Sequence, residues 1–409
     1  MRLPVVSIVF LFILSLLMDL YISFDVKQIW KKRGVWVYWF TCALCYAVLI
    51  VAISLPRRSA GEDISAIMWL LFTFLTIYAA KFIYFLCSLF GRLFRATTRI
   101  KGRFYPSRWV GLVGGIALLA IMWIGAGYTR HEIKVTQETF SSKKLPENFN
   151  GYKIVQLSDM HVGTWGNDTT FLHNLVDTVN SLHPDLIVFT GDIVNRLSNE
   201  LTPFTEVLSG LKAKDGVYSI LGNHDYGDYV DWDNPIDKEK NLLRLKEYQR
   251  KMGWRMLNNE SVYIHSGNDS ILLIGVENWG EPPFPKYGDL ELARPSDKNS
   301  VDWLKDNSYK ILLSHNPEHW NQEISKHTDI DLTLSGHTHA MQAMVKLGNW
   351  AWSPSKYRYE QWGGRYRREN EYGEPEIYVN IGTGAVGMPA RLMAAYPEVT
   401  LITLKKENN

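Results

Sequence analysis

Two histidines separated by one residue stand where an apolar stretch of the chain ends. The segment reads LTLSGHTHAMQ over residues 332–342, and the pair is His337 and His339. In extended backbone, residues i and i+2 point the same way, so both imidazoles would aim at one spot. Converging neutral imidazoles are a metal-ligand arrangement, although a lone H-x-H also occurs by chance in loops.

Other strand-like segments end in side chains that bind metals through nitrogen or oxygen. These side chains are Asp159, His161, Asp192, Asn223, His224 and His315. Together with the histidine pair, and apart from His224, they provide two carboxylates, four imidazoles and one amide oxygen. That set is enough for two metal ions that share one carboxylate. Ligands of open α/β sheets bind at the carboxyl ends of strands, which is where these residues stand.

The elements that would position these side chains alternate between strand and helix. Apolar segments of strand length are 152–159, 185–192, 216–225, 262–265, 271–278, 309–315, 331–337, 376–384 and 398–405. Helical segments are predicted at 171–183, 200–212 and 237–253. This alternation predicts an α/β domain whose strands are buried, because their sequences are almost continuously apolar.

The polar blocks resemble those of one family in their order. D-x-H, G-D, G-N-H-D, H and G-H-x-H follow one another as in calcineurin-like metallophosphoesterases, over roughly residues 150–404. Each block alone is weak, whereas five in the right order are specific. The resemblance implies a four-layer α-β-β-α sandwich of two mixed sheets flanked by helices.

The resemblance also implies a role for each block. One divalent ion would be bound by Asp159, His161, Asp192 and His339. The other would be bound by Asp192, Asn223, His315 and His337, so that Asp192 bridges the two. His224 would stand near the leaving group, with Asp225 orienting it. The ions, which are Mn, Fe or Zn by donor type, would hold a bridging hydroxide that attacks phosphorus.

Two segments near the C-terminus add further expectations. Residues 380–404 resemble the exported, membrane-associated bacterial branch of this family, in which the residue at the position of Arg391 contacts substrate. Ala340 departs from that branch, where glycine is common. Residues 350–372 mix three Trp and four Tyr with five basic residues. This segment either grips a phosphate, a sugar or the membrane interface, or packs on the surface of its own domain, with one or two arginines facing substrate.

Charge and cysteine content exclude some classes of site. The chain of 409 residues has a net charge of +2. Residues 1–128 hold 14 Lys and Arg and 4 Asp and Glu, a net of +10, which leaves −8 for the rest. An acidic domain argues against nucleic acid as a partner. The three cysteines of the chain all lie before residue 128, so no thiolate metal site is expected in the domain that follows.

The first part of the chain is predicted to cross a membrane. Four apolar spans, at about 3–24, 35–55, 64–90 and 110–128, are each long enough for a membrane helix. The predicted organisation is an all-α transmembrane region at 1–128, a stalk at 129–150 and the phosphoesterase domain at 151–409. Within the spans, Asp19 and Lys81 are expected at similar depth, either paired or each reaching towards the headgroups.

Basic residues in the loops indicate the orientation. One side carries ten, namely Lys27, Lys31, Lys32, Arg33, Arg92, Arg95, Arg99, Lys101, Arg103 and Arg108. The other side carries seven, namely Arg2, Arg57, Arg58, Arg130, Lys134, Lys143 and Lys144. Because the richer side usually faces the cytoplasm, the catalytic domain is expected outside it.

The sequence therefore favours a multi-pass protein of the cell membrane that hydrolyses phosphoric esters with two metal ions. The expected substrate is a phosphomonoester, phosphodiester or pyrophosphate of the envelope, either a small molecule or a lipid. One alternative is a cytoplasm-facing pyrophosphatase acting on a UDP-diacylglucosamine-type lipid precursor. Another is a non-catalytic sensor or scaffold, although such proteins usually lose ligands and this chain retains all seven.

Overall fold

The N-terminal region contains three long apolar helices within the residues that the structure describes. The structure is a computed structural model, and it describes residues 5–55, 64–98, 106–282, 284–295 and 308–407. The helices are α1 (Val5–Ser54), α2 (Ser65–Thr98) and α3 (Pro106–Gly127). Each is apolar and long enough to cross a bilayer, whose hydrocarbon core is about 30 Å thick.

The prediction of four helices is corrected to three, because the first two predicted spans both lie on α1. A helix of 50 residues would be about 75 Å long, far more than one crossing requires. The helical backbone is interrupted at Lys31, where φ is 57° and ψ is −158°. The two halves lie side by side, since Tyr38 and Tyr46 of the second donate hydrogen bonds to Asp19 of the first.

Several residues of the membrane prediction lie outside the described part of the chain. They are Leu3, at which the first predicted span begins, and the loop residues Arg2, Arg57, Arg58, Arg99, Lys101 and Arg103.

Asp19 is the centre of a buried polar cluster in the helical region. Its carboxylate accepts from Lys81 Nζ at 2.8 Å and from the Tyr78 hydroxyl at 2.7 Å. With Tyr38 and Tyr46, four donors surround the two oxygens. The pairing of Asp19 with Lys81 is thus confirmed. The cluster satisfies a charge that would otherwise be costly to bury.

The remainder of the chain forms a separate compact unit built on two six-stranded mixed sheets. The first sheet has, in spatial order, β1 (Lys134–Ser142), β15 (Glu398–Lys406), β2 (Lys153–Leu157), β3 (Leu186–Phe189), β4 (Val217–Ser219) and β5 (Arg255–Met256). The second has β12 (Gly364–Arg367), β13 (Glu376–Val379), β9 (Leu332–Ser335), β8 (Lys310–Leu313), β7 (Asp269–Gly275) and β6 (Glu260–Ser266). A small third sheet has β11 (Trp350–Trp352), β10 (Ala343–Leu347) and β14 (Leu392–Met393).

The central strands bury both of their faces, which explains their unbroken apolar sequences. Ile154 and Leu186 point into the core between the sheets, whereas Val155 and Ile187 point into the core beneath the helices. The helices on that side are α4 (Thr170–Ser181), α5 (Thr205–Leu208) and α6 (Pro235–Lys251). A π-helical turn, Trp320–Ile324, leads into α7 (Ser325–His327) and covers the second sheet. The predicted four-layer α-β-β-α sandwich is confirmed.

Two segments differ from the sequence-based expectation. The segment 129–150, predicted as a stalk, contributes β1 to the first sheet, because this strand pairs in parallel with β15 along its whole length. The helix predicted over 200–212 is limited to α5. It is preceded by a 3₁₀ segment that contains Pro203, a residue that cannot donate the helical hydrogen bond.

We expect Lys81→Met to destabilise the helical region, because the carboxylate of Asp19 would remain buried without its cation. Removing one member of a buried pair costs about 3–5 kcal/mol. The measurement is the melting temperature of the full chain in detergent. The double variant Asp19→Asn/Lys81→Met should melt above Lys81→Met alone. A double variant that melts lower still would show that the pair is not coupled.

Candidate metal centre

The predicted ligands follow the carboxyl ends of five strands. They are Asp159 and His161 after β2, Asp192 after β3, Asn223 after β4, His315 after β8, and His337 and His339 after β9. β2, β3 and β4 are adjacent in the first sheet, and β8 and β9 are adjacent in the second. Because these strands are parallel within each sheet, their polar ends gather at one edge of the sandwich.

A first group of potential ligands consists of Asp159, His161, Asp192 and His339. One donor atom from each lies within 4.8 Å of the others, and all four residues are buried. His339 Nε2 lies 3.1 Å from Asp159 Oδ1 and 3.1 Å from His161 Nε2. His161 Nε2 lies 3.7 Å from Asp192 Oδ2.

A second group consists of Asp192, His315 and His337, again with donor atoms within 4.8 Å of one another. His315 Nε2 lies 3.2 Å from Asp192 Oδ2 and 3.2 Å from His337 Nδ1. Asn223 Oδ1 lies 3.2 Å from the same His315 nitrogen. Asp192 belongs to both groups, so the seven predicted residues form two adjoining clusters around one carboxylate.

These residues fit a pair of divalent cations. The ring nitrogens of His161 and His339 lie 3.1 Å apart and those of His315 and His337 lie 3.2 Å apart, so four potential nitrogen donors are brought close together. Two buried carboxylates add negative charge at the same place. A cation in each cluster would satisfy these donors together. A set of imidazole, carboxylate and amide donors suits Mn, Fe or Zn.

The pKa shifts of the ligands also fit a site for cations. Burial would raise the pKa of Asp192, but the neighbouring imidazoles, His315 first, hold it well below its usual value. Burial lowers the pKa of His315, yet the carboxylate of Asp192 outweighs that effect and raises it to about 9. Burial, together with the charge of His315, lowers the pKa of His337 to about 3. The site thus stabilises one positive charge and disfavours a second proton beside it.

Five of the seven residues adopt left-handed backbone, with φ between 42° and 72°. They are Asp159, His161, Asp192, His337 and His339. Such conformations cost about 1–3 kcal/mol each for residues other than glycine and cluster at functional sites. Ala340, where the family branch commonly has glycine, is left-handed as well, at φ 49°. The strain indicates that the loops are shaped for ligand geometry rather than for stability.

Two glycines let the loops after β3 and β4 approach closely. Gly191 has φ 96°, and a Cβ there would lie 2.5 Å from the backbone nitrogen of Gly222. A Cβ on Gly222 would lie 2.3 Å from Asp192 Oδ1. A side chain larger than that of glycine at either position would therefore prevent this packing of the two loops.

His224 lies beside the clusters, but Asp225 does not orient it. His224 Nδ1 lies 2.6 Å from the carbonyl oxygen of Asn195, and its ring stacks on Tyr229 at 4.2 Å. Asp225 instead accepts from four backbone N–H groups, those of Asp192, Ile193, Val194 and Gly222, at 2.9 to 3.4 Å. The expected role of Asp225 is therefore corrected: its carboxylate ties together the loops after β3 and β4.

Arg391 is also placed differently from the expectation. Its side chain is fully buried, and its guanidinium donates to the carbonyl oxygens of Gly384, Ile381, Ala395 and Tyr396 at 2.7 to 3.3 Å. With its donors directed at backbone, it stabilises the loop after β13 and is not exposed to a substrate. The arginines of residues 350–372 are engaged too, since Arg365 pairs with Glu376 and Arg368 bonds to Asn321.

Two tyrosines that sequence reasoning missed contact the predicted ligands directly. The hydroxyl of Tyr229 accepts from Asn223 Nδ2 at 2.8 Å, which turns the amide oxygen towards His315. The hydroxyl of Tyr359 lies 2.9 Å from His337 Nε2. Tyr359 belongs to the aromatic segment 350–372, and its place in that segment was the one feature of the sequence that could have indicated its role. Tyr229 follows the G-N-H-D block in a loop without any distinguishing pattern.

Comparisons with known proteins agree with this geometry. Residues 152–341 match the model of the calcineurin-like phosphoesterase family, and residues 1–129 match that of a probable calcineurin-like phosphoesterase transmembrane domain. An uncharacterized metallophosphoesterase of Bacillus subtilis is 31% identical over 309 residues, which are 73% of this chain and 96% of the relative. The chain belongs to the calcineurin-like metallophosphoesterase family. It is a metal-dependent phosphoric ester hydrolase associated with the membrane.

Further relatives of this metallophosphoesterase extend to animals. A transmembrane protein with a metallophosphoesterase domain from Danio rerio is 32% identical over 67% of this chain and 57% of its own length. A UDP-2,3-diacylglucosamine pyrophosphatase of Chlamydia muridarum is 26% identical over 57% of this chain and 77% of its own length. Among solved structures, a metallophosphoesterase from Sphaerobacter thermophilus aligns over 57% of this chain and 78% of its own. That alignment has 16% identity and a TM-score of 0.26, too low to support an argument.

We expect Tyr229→Phe to weaken metal binding, because the side-chain amide of Asn223 would lose the acceptor that orients it. Loss of such a supporting contact typically costs about 10–100-fold in metal affinity. Calorimetric titration of the metal-free protein with Mn²⁺ measures this directly. Tyr357→Phe, an exposed tyrosine of the same protein, is the matched control. Equal affinities in the two variants would remove Tyr229 from the site.

Proposed function

We propose that this metallophosphoesterase uses two divalent ions to hydrolyse a phosphomonoester, phosphodiester or pyrophosphate bond in a substrate of the cell envelope. The observation that supports the number of ions is the position of Asp192, which is shared by two groups of converging donors. Asp159, His161 and His339 would complete one ion site. Asn223, His315 and His337 would complete the other.

The side chains have distinct tasks in such a reaction. The bound ions would supply an activated water and neutralise charge on the phosphoryl oxygens. Asp192 sets the spacing of the two sites, and the N–H of His224 fixes one of its oxygens with a hydrogen bond of 2.7 Å. Asp225 holds the backbone on either side of Asp192. Six of the seven ligands are buried, and His337 is partly exposed.

His224 is proposed as the group that protonates the leaving oxygen. Its Nδ1–H donates to the carbonyl of Asn195, which leaves Nε2 as the nitrogen available to a substrate. Burial lowers its pKa, an effect that Asp192 partly offsets. The ring is held in place by stacking on Tyr229. In its protonated, imidazolium form the ring would carry a second proton on Nε2, and this proton would pass to the departing alkoxide as the phosphorus–oxygen bond breaks.

The direct test is metal analysis of the full chain in detergent, combined with a panel of aryl phosphates, aryl phosphodiesters and pyrophosphates. We expect two equivalents of metal and hydrolysis of at least one class. Asp192→Asn should lose both ions and all activity, since each site needs this carboxylate. A variant that retained both ions would contradict the bridging assignment, and one equivalent in the native protein would contradict the two-ion site.

We expect His224→Ala to retain metal while turnover falls by about 10²–10⁴-fold, because only the general acid is lost. Turnover is measured on an aryl phosphodiester, and metal content is measured on the same preparation. The loss should shrink for a substrate whose leaving group needs no proton, such as a nitrophenolate. Loss of metal together with activity would make His224 a ligand and overturn its assignment.

We further propose that the catalytic domain lies outside the cytoplasm. If the two halves of α1 cross the membrane separately, as α2 and α3 would, there are four crossings and both termini lie on one side. The greater number of basic residues in the loops between crossings supports a cytoplasmic location for those loops.

A second candidate is a cytoplasm-facing pyrophosphatase that acts on a UDP-diacylglucosamine-type lipid precursor. The relative from Chlamydia muridarum, whose name is that of such an enzyme, favours it. The two candidates place the same metal centre on opposite sides of the membrane.

Reporter fusions at the C-terminus, Asn409, distinguish the two candidates. If the domain is extracytoplasmic, alkaline phosphatase fused there should be active and a green fluorescent protein fused there should be dark. The opposite pair of readings would reject our orientation and favour the precursor pyrophosphatase. Fusions after Lys32, in the loop proposed to be cytoplasmic, provide the internal control.

A further inference from the structure

The hairpin formed by β10 and β11 has one apolar face. Val345 pairs with Trp352, and Leu347 pairs with Trp350 across the two strands. Since side chains at i and i+2 share a face, all four project to the same side. Tyr357, which follows the hairpin, meets Trp352 edge to face with ring centroids 6.4 Å apart. These five residues are called the hairpin patch.

Much of the hairpin patch is exposed. The exposed fraction is 70% for Leu347, 55% for Trp350 and 78% for Tyr357. Single exposed apolar residues are ordinary, but a contiguous group with two Trp indicates a contact surface. The patch lies outside the metal centre and contributes nothing to the sandwich core, because none of its members belongs to the buried clusters.

The composition of this surface matches a lipid interface better than a protein interface. Trp and Tyr are the residues that concentrate at the boundary between headgroups and acyl chains. Lys346 stands between Val345 and Leu347 on the opposite face of the strand, and Lys356 lies 5.5 Å from the ring of Tyr357. Long lysine side chains beside an apolar surface can reach lipid phosphates while their stems stay in contact with that surface.

The third sheet contacts the turn that follows the last membrane helix. α3 ends at Gly127, and the 3₁₀ turn Thr129–His131 follows at once. That turn packs against β14, and β14 pairs with β10 at Met344 and Met393. At about 3.3 Å per residue, the end of β10 is about 10 Å beyond this pair. The hairpin is thus connected through β14 to the 3₁₀ turn that directly follows the last membrane helix.

We propose that the hairpin patch inserts into the headgroup region of the bilayer in which this protein is anchored. β10 begins four residues after His339, so insertion would hold the metal centre at the lipid surface. If the proposed function is correct, the substrate is an amphiphilic phosphoric ester that stays in the bilayer during hydrolysis. Insertion itself does not depend on that function.

The first experiment measures insertion in the full chain reconstituted into nanodiscs. Cys42, Cys45 and Cys87 are replaced by Ser, and Leu347→Cys is labelled with an environment-sensitive fluorophore. The matched control is Leu243→Cys on α6, a leucine that is 59% exposed among charged neighbours. We expect lipids with a spin label high on the acyl chain to quench the label at 347 at least about twofold and to leave that at 243 unchanged.

Equal quenching at both positions, or none at either, would overturn the proposal. So would emission at 347 that shifts only when two copies share one disc, since the patch would then be an interface between copies. Thermal melting of each labelled variant shows whether the domain is folded, and a label at Trp350→Cys provides a second position for the same measurement.

The second experiment tests the consequence for catalysis with Leu347→Glu/Trp350→Glu. We expect hydrolysis of phosphatidic acid in nanodiscs to fall at least about tenfold and that of a soluble aryl phosphodiester to change less than about twofold. An equal effect on both substrates would contradict a role in lipid access. If the native protein hydrolysed neither, the proposed function would fail, and insertion would be judged from the fluorescence alone.

Discussion

Crowding of nitrogen and oxygen donors around Asp192 is the constraint on which the catalytic unit depends. Seven donors converge within a few ångströms, and five of their residues hold left-handed backbone. None of this is favourable for a chain without cations. Three apolar clusters, which bury both faces of both sheets, offset this unfavourable free energy. The rigid strands end together, and the loops have little freedom to relax the donors apart.

The supporting contacts around the donors are mostly made by backbone. Asp225 gathers N–H groups from two loops, Asn195 offers its carbonyl to His224, and Thr190 offers its carbonyl to His315 Nδ1 at 2.7 Å. Such contacts orient imidazoles without adding charge to the site. Tyr229 and Tyr359 perform the same task with neutral hydroxyl groups. These hydroxyl and carbonyl groups hold the ligands without adding formal charge beside the metal centre.

Features of the fold and of the site could be predicted from the sequence where they depend on residues that are neighbours in the chain. Strand position and donor type are local properties, so the order of the polar blocks predicted the sandwich and the gathering of Asp159, Asp192 and His337. The partners of Asp225 and Arg391 are carbonyl and N–H groups, which every residue has, so no residue pattern indicated them. The helix count differed because the backbone between the first two predicted spans is helical as well. The chain leaves helical geometry only at Lys31, so the two spans belong to one interrupted helix.

The carboxylate of Asp19 has a consequence for biosynthesis. Its partners Tyr38, Tyr46, Tyr78 and Lys81 all emerge from the ribosome after it. An unpartnered aspartate at mid-membrane costs about 2.5–3.5 kcal/mol on the insertion scale of the translocon. The first half of α1 therefore inserts less favourably by itself than after its later partners have arrived. Integration of this protein is accordingly a cooperative event, in which the third hydrophobic segment secures the first.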